Sequence, residues 1–250
     1  MRRAEAELTN RISTLQKYFE KAKKAPLYLQ PTYKDSLIVL LHGHWENYLR
    51  ELMAEYIDEL KALSLNYSAL PSIIQSTNKH KTVELLSKGL RYFDYLSHEI
   101  IAENYNKCLN MNDSSGLIVE SFCMTHSSAD KNVVRILFEQ IGIQKPWELI
   151  NSELNETRIR SRISSSGLTP EQYEELVKQA LDRDRNTLLA NLDRFVKSRN
   201  EIAHHGKSVV LSVDFPLLEV FFQLVTSLKN ACNRIVANHF TIFTASVTLP

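Results

Sequence analysis

Residues 197–206, KSRNEIAHHG, close a stretch whose apolar side chains recur at the spacing of an α-helix. Steps of four, three, four and three place five side chains on one helix face: Leu188, Leu192, Phe195, Arg199 and Ile202. All but the arginine are apolar, and a guanidinium keeps its charge in a protein and is costly to bury without a partner. The pattern therefore predicts a helix in which an anionic group, a carboxylate or a phosphate, meets Arg199.

His204 follows Arg199 by five residues, and it lies about half a turn away from that face on an ideal helix. Gly206 is well placed to end the helix, because glycine readily adopts the left-handed conformation found after a helix C-terminus. His204 is therefore expected in a fraying last turn, from which its imidazole can swing toward the guanidinium.

The remainder of the chain predicts long helices, because six glycines and seven prolines in 250 residues disfavour many short turns. Apolar periodicity and capping residues predict several helices along the chain. The predicted helices lie at 4–25, 33–65, 130–140, 170–180, 183–204 and from about 214. One or two more are predicted within 80–108, and a short one from 146. Residues 117–124 fit a helix or a strand, and the tail at 240–250 fits a strand or an ordered extension. The last helix, apolar nearly all round, is expected to be buried centrally or at a subunit interface.

Bulk composition limits the class of protein. The formal net charge is +1, so any nucleic-acid binding must come from a local patch and not from an overall basic field. The three cysteines are widely spaced, which favours a reducing compartment over a disulfide framework or a zinc site. No signal peptide and no run of about twenty apolar residues occurs, so a cytoplasmic protein without a membrane span is expected. The sequence contains no cofactor motif. His42 and His44 would lie about 200° apart on a helix, so their side chains could not easily bind one metal ion together.

Two polar patterns elsewhere leave alternatives open. His42, Glu46 and Arg50 form a stripe at steps of four beside an apolar helix face. This stripe is either a solvated row of ion pairs, or it brings His42 or Glu46 to the Arg199 region to orient a catalytic group.

The second pattern lies in residues 155–168, which look irregular and carry arginines at every other position, at Arg158, Arg160 and Arg162. In an extended chain these three side chains would project together. The segment is then either an exposed loop with ordinary solubilising charge or a loop that contacts RNA phosphates.

The set Arg199, Asn200 and His204 resembles the motif of the HEPN superfamily, an arginine and a polar residue followed after a short spacer by a histidine near a helix end. Two further stretches are similar to the RiboL-PSP-HEPN-like branch: residues 40–49, LLHGHWENYL, and residues 130–137 with 141–143. The resemblance implies an all-α fold, a HEPN-like bundle of long helices with additional short helices and loops.

The similarity spans roughly residues 30–235 in patches. We therefore expect one HEPN-like domain over residues 1–250, with an insertion at about 145–185 and a C-terminal extension at 240–250.

The resemblance also implies a function, a metal-independent endoribonuclease. Cleavage through the ribose 2′-OH needs a base, a cation for the phosphate and an acid for the leaving oxygen, and it yields a 2′,3′-cyclic phosphate and a 5′-OH. Histidine, arginine and asparagine can supply these roles. One histidine cannot easily act on both sides of an in-line attack, and the family resemblance implies a homodimer with two motifs in one cleft. His205 is either a second base or a partner of the helix dipole.

The resemblance further implies a toxin or abortive-infection effector in bacterial defence, controlled by an antitoxin or regulatory protein partner. Two other interpretations stay open. The motif can be structural, pairing with carbonyl groups and a core carboxylate. Alternatively, the chain can be a non-catalytic HEPN module that binds a protein or a nucleotide.

Overall fold

The computed structural model describes residues 2–88, 96–123, 128–164, 167–205 and 213–248. The described residues are mainly helical, as the sequence predicts, and contain no strand, only an isolated bridge between Asn66 and Asp113. The α-helices are α1 (Arg2–Lys23), α2 (Gln30–Ala62), α3 (Ser72–Lys88), α4 (His98–Asn110), α5 (Glu120–Cys123), α6 (Lys131–Gln140), α7 (Pro146–Arg162), α8 (Pro170–His205) and α9 (Phe215–Thr248). Short 3-10 helices lie at Tyr67–Ala69 and Ser114–Gly116.

Helix α2 lies at the centre of the core and packs against α1, α5, α8 and α9. Its interior side chains are fully buried, and two of them also hold neighbouring segments through polar atoms. The Trp45 indole donates to the carbonyl of Ala129 at 3.2 Å, and the Tyr48 hydroxyl donates to the carbonyl of Lys229 at 2.9 Å. The first bond ties the start of α6 to α2, and the second ties α9 to α2.

The predicted helix starts are confirmed by their capping bonds. Asp130 accepts from the backbone N–H groups of Asn132 and Val133, and Asp214 accepts from that of Leu217. Thr169 and Gln172 form a reciprocal capping box at the start of α8. These bonds satisfy N–H groups that a helix terminus leaves open, so the local sequence fixes where α6, α8 and α9 begin.

Several predicted boundaries are wrong. Residues 170–205 form one helix instead of two, because no glycine or proline interrupts them. The helix from Pro146, predicted to be short, continues to Arg162. The second and third helices start earlier than predicted, at Gln30 and Ser72. The tail is helical through Thr248 and is therefore not a strand.

The prediction of an extended or looped chain for the arginine pattern at 158–162 is wrong. These residues lie in α7, where Arg158 and Arg160 are about 200° apart and do not project together. Ile159 between them is buried, which explains why the segment follows a helical and not a two-residue period. The actual loop after α7 begins at Ile163, and residues 165 and 166 lie outside the described residues.

The apolar residues of α9 are buried by helices of the same chain. Leu218, Phe221, Val225 and Leu228 are all completely buried in the main core. Of the two predicted locations for this helix, the central one is therefore correct. Its apolar character gives no separate indication of a subunit interface.

Candidate active site

Arg199 lies on α8, half-buried on the face that the periodicity predicts. Phe195 and Leu192, one and two turns before it, are fully buried. Its Nη1 donates to the side-chain oxygen of Asn200 at 3.0 Å. Within the described part of the chain no carboxylate lies within ion-pair distance of the guanidinium. The predicted anionic partner is therefore not a carboxylate of these residues, and the cation keeps donors for another anion.

A cleft of about 310 Å³ opens beside this bond, between the last turns of α8 and the start of α6. It is lined by Asp130, Asp193, Val196, Lys197, Asn200, Glu201, His204 and His205. The α8 residues among them recur at steps of three and four, so helical geometry gathers them on one face. An ion pair between Lys131 and Asp193, 2.8 Å long, joins the two helices at the cleft.

The two histidines are exposed at the end of α8, and both still have helical backbone. His204 lies in the last described turn of α8, as predicted, and its fraying stays a prediction. Gly206, the predicted helix end, lies outside the described residues. His204 follows Asn200 by one turn, so both side chains face the same cleft. Arg199 does not line the cleft. Asn200 thus bonds the guanidinium and also lines the cleft that His204 lines. The guanidinium and the imidazole have no contact with each other among the described residues.

His42, on α2, is completely buried, so the interpretation of its stripe as a solvated row is wrong at this position. Its ring centroid lies 5.4 Å from that of Phe195, on the α8 face that carries Arg199. Burial, and secondarily the positive charge of Arg199, lower the pKa of His42 to about 4. The imidazole is therefore neutral near pH 7, and it is buried more deeply than the half-buried Arg199.

Glu46, the next residue of the stripe, has a different environment. Its carboxylate accepts from Arg50 at 2.6 Å, so the ion pair that the four-residue spacing predicts is present. Neither residue lines the cleft.

Glu201 also belongs to the cleft, and our reasoning from the sequence did not identify it. One of its carboxylate oxygens is buried and has no hydrogen-bond partner among the described residues. Glu201 precedes His204 and His205 by three and four residues, the spacing at which helical side chains are neighbours. That spacing was the available signal, although it does not reveal that the carboxylate is partly buried.

The three arginines of α7 lie away from the cleft. Arg158 pairs with Asp184, and Arg160 pairs with Glu156 and Glu174. Hydrogen bonds to Glu174 and Glu156 raise the pKa of Arg160, which remains cationic. Two of the three cations are therefore paired with carboxylates of α7 or α8, whereas Arg199 has no carboxylate partner among the described residues.

Within the described ranges no group of three or more histidine, cysteine or carboxylate side chains could hold a metal ion. No described helix has the length and apolarity needed to cross a membrane. All three cysteines are buried as free thiols, and burial raises the pKa of each of them.

Comparison with known proteins gives one positive result. Neither a curated protein nor a solved structure matches this chain significantly. The model of the family described as RiboL-PSP-HEPN matches residues 6–238, which include the whole cleft and the segment 145–185 that we predicted to be an insertion. Since this match covers most of the chain, the protein belongs to the RiboL-PSP-HEPN family.

Proposed function

We propose that this protein is a metal-independent endoribonuclease whose catalytic residues are Arg199, Asn200 and His204. The observation that carries the proposal is the state of Arg199. Its guanidinium is half-buried and bonded to Asn200, and it has no carboxylate partner in the described part of the chain. A cation held in this way beside a histidine-lined cleft is suited to a phosphodiester.

Each residue has a role in this proposal. Arg199 binds the scissile phosphate and stabilises the charge that grows on its oxygens, since a guanidinium offers a planar pair of donors. His204 exchanges a proton with the reacting oxygens, because an imidazole changes charge close to neutral pH. Asn200 keeps the guanidinium oriented and can also donate to the phosphate. The ribose 2′-OH then displaces the 5′ oxygen, giving a 2′,3′-cyclic phosphate and a 5′-OH.

A homodimer completes the reaction scheme. His204 cannot easily be both the base and the acid of an in-line displacement, because the two oxygens lie on opposite sides of the phosphorus. A second chain, placed with its own His204 across the RNA, supplies the missing group. His205, also exposed in the cleft, is the alternative source within one chain.

RNA cleavage in the presence of a chelator tests the proposal. The wild type should cut a defined RNA oligonucleotide, and the 5′ ends should accept phosphate from a polynucleotide kinase without prior dephosphorylation. His204→Ala and Arg199→Ala should each lose about 100-fold or more in rate, since a positioned acid or base and an oriented cation each contribute at least about this much.

His80→Ala and Arg183→Ala are matched controls, because both side chains are exposed and outside the cleft. They should cleave like the wild type. Undiminished cleavage by His204→Ala would contradict the assignment of this residue.

We further propose a cellular role as a toxin or abortive-infection effector held in check by an antitoxin or regulatory protein. This role is supported by family membership alone. Induced expression of the wild type should arrest bacterial growth, and expression of His204→Ala should not. Equal growth of the two strains, from equal amounts of protein, would contradict the role.

A further inference from the structure

His42 is an unusual residue for the centre of a helical core. It is completely buried on α2 among apolar neighbours such as Leu41 and Trp45. Neither of its ring nitrogens has a hydrogen-bond partner among the described residues. Buried polar atoms without partners destabilise a fold, so packing alone would favour a phenylalanine or a leucine at this position.

The surroundings of the ring point to Arg199. The imidazole packs on Phe195, which precedes Arg199 by four residues and therefore lies one turn away on the same face of α8. The charge of Arg199 is strong enough at this ring to help lower its pKa to about 4, after the larger effect of burial. The imidazole is consequently neutral when the arginine is charged.

The two groups are chemically complementary. A neutral imidazole has one nitrogen that accepts a hydrogen bond, and a guanidinium has five N–H donors and no acceptor. One donor of Arg199 is bonded to Asn200 on the cleft side. His42 is completely buried, so its acceptor can reach the guanidinium only from the core, and the neutral ring brings no second positive charge close to the arginine.

We infer that His42 is a positioning residue for Arg199, and this inference rests on the proposed ribonuclease function. When a phosphate binds in the cleft, the imidazole accepts a hydrogen bond from the guanidinium on the core side. Asn200 holds it on the cleft side, and the remaining donors are directed at the phosphate. His42 itself does not touch the RNA.

Kinetics of the full-length chain on a fluorescent RNA oligonucleotide, in chelator, test this inference. His42→Phe keeps a buried ring but removes the acceptor, and His42→Leu is a second apolar variant of smaller volume. Both should remain folded, with kcat lowered roughly 10- to 100-fold, since small errors in the position of a catalytic group have effects of this size. The KM should change by less than about threefold. His42→Gln, which restores an acceptor, should regain most of the lost kcat.

Two comparisons separate positioning from a general effect on structure. In an Arg199→Ala background, His42→Phe should lower kcat by less than about threefold, because a residue that acts through Arg199 has nothing left to position. His239→Phe makes the same replacement on α9, where the imidazole bonds Tyr56, about 21 Å along α2 from His42. This control should cleave at the wild-type rate.

Wild-type kcat in folded His42→Phe, or equal losses in the glutamine and phenylalanine variants, would overturn the inference and leave the proposed function intact. Absence of RNA cleavage by the wild type would contradict the proposed function, and the inference would fall with it.

Discussion

The bond between Arg199 and Asn200 gives the sharpest quantitative prediction, through the variant Asn200→Ala. Nη1 of the arginine donates to Oδ1 of the asparagine at 3.0 Å, and both residues are half-buried. A hydrogen bond to a charged group contributes about 1.5–3 kcal/mol, and partial exposure places this bond at the lower end. About 1.4 kcal/mol corresponds to a tenfold change in rate, so kcat/KM should fall about tenfold.

Asn200→Asp is the informative companion variant. The carboxylate keeps the accepting oxygen, but it pairs with the guanidinium and repels the RNA phosphate. We therefore expect a larger loss than in the alanine variant, expressed mainly as a higher KM. The difference between the two variants should shrink as salt is added, because ions screen the repulsion between exposed charges.

Initial rates in chelator across a range of oligonucleotide concentrations measure these effects, with urea unfolding as the check on folding. The reasoning requires that Asn200 acts through Arg199. In an Arg199→Ala background, Asn200→Ala should therefore cost less than about threefold. If it still costs tenfold there, the asparagine acts on the substrate directly and the reasoning from the hydrogen bond is refuted.

Three further predictions concern stability. Trp45→Phe removes the hydrogen bond to Ala129 and part of a fully buried ring. It should lower the free energy of unfolding, measured by urea titration, by about 1–3 kcal/mol. An unchanged free energy of unfolding would contradict the central role of α2. Asp214→Ala should cost about 1 kcal/mol through loss of the α9 cap, whereas Asp214→Asn should be nearly neutral; equal effects would exclude capping as the cause. His42 takes up a proton near pH 6.5 when unfolded and near pH 4 when folded, so the unfolded chain binds more protons between these values. The free energy of unfolding should fall by up to about 3 kcal/mol as the pH drops through this window. His42→Phe should remove that part of the pH dependence. If the free energy of unfolding changes equally with pH in both proteins, the imidazole is not buried in its neutral form.

Sequence reasoning was most successful where the determining interactions are local. The caps at Asp130, Thr169 and Asp214 are bonds between residues two or three positions apart, so composition and spacing were sufficient to locate them. It failed where a local pattern was ambiguous. Alternating arginines in α7 are compatible with an extended segment, but the buried position of Ile159 in the tertiary structure favours the helix.

The candidate site divides in the same way. The spacing of Asn200 and His204 already places both on one side of α8, one turn apart. The other wall of the cleft comes from Asp130 at the start of α6, about seventy positions before Asn200 and His204, and no local pattern indicates that the two helices meet there. The partly buried carboxylate of Glu201 was missed for the same reason.

By itself, the sequence determined the helical class, the capped helix starts, and the angular positions of Arg199 and His204 around α8. These follow from periodicity and from hydrogen bonds within a few residues, which are properties of a single helix. Only the tertiary structure decided that His42 is buried and neutral while Glu46, one turn along α2, is in an ion pair. The depth of a side chain and the charge beside it depend on which other helix covers it, and the contact of α2 with Phe195 joins residues more than 150 positions apart.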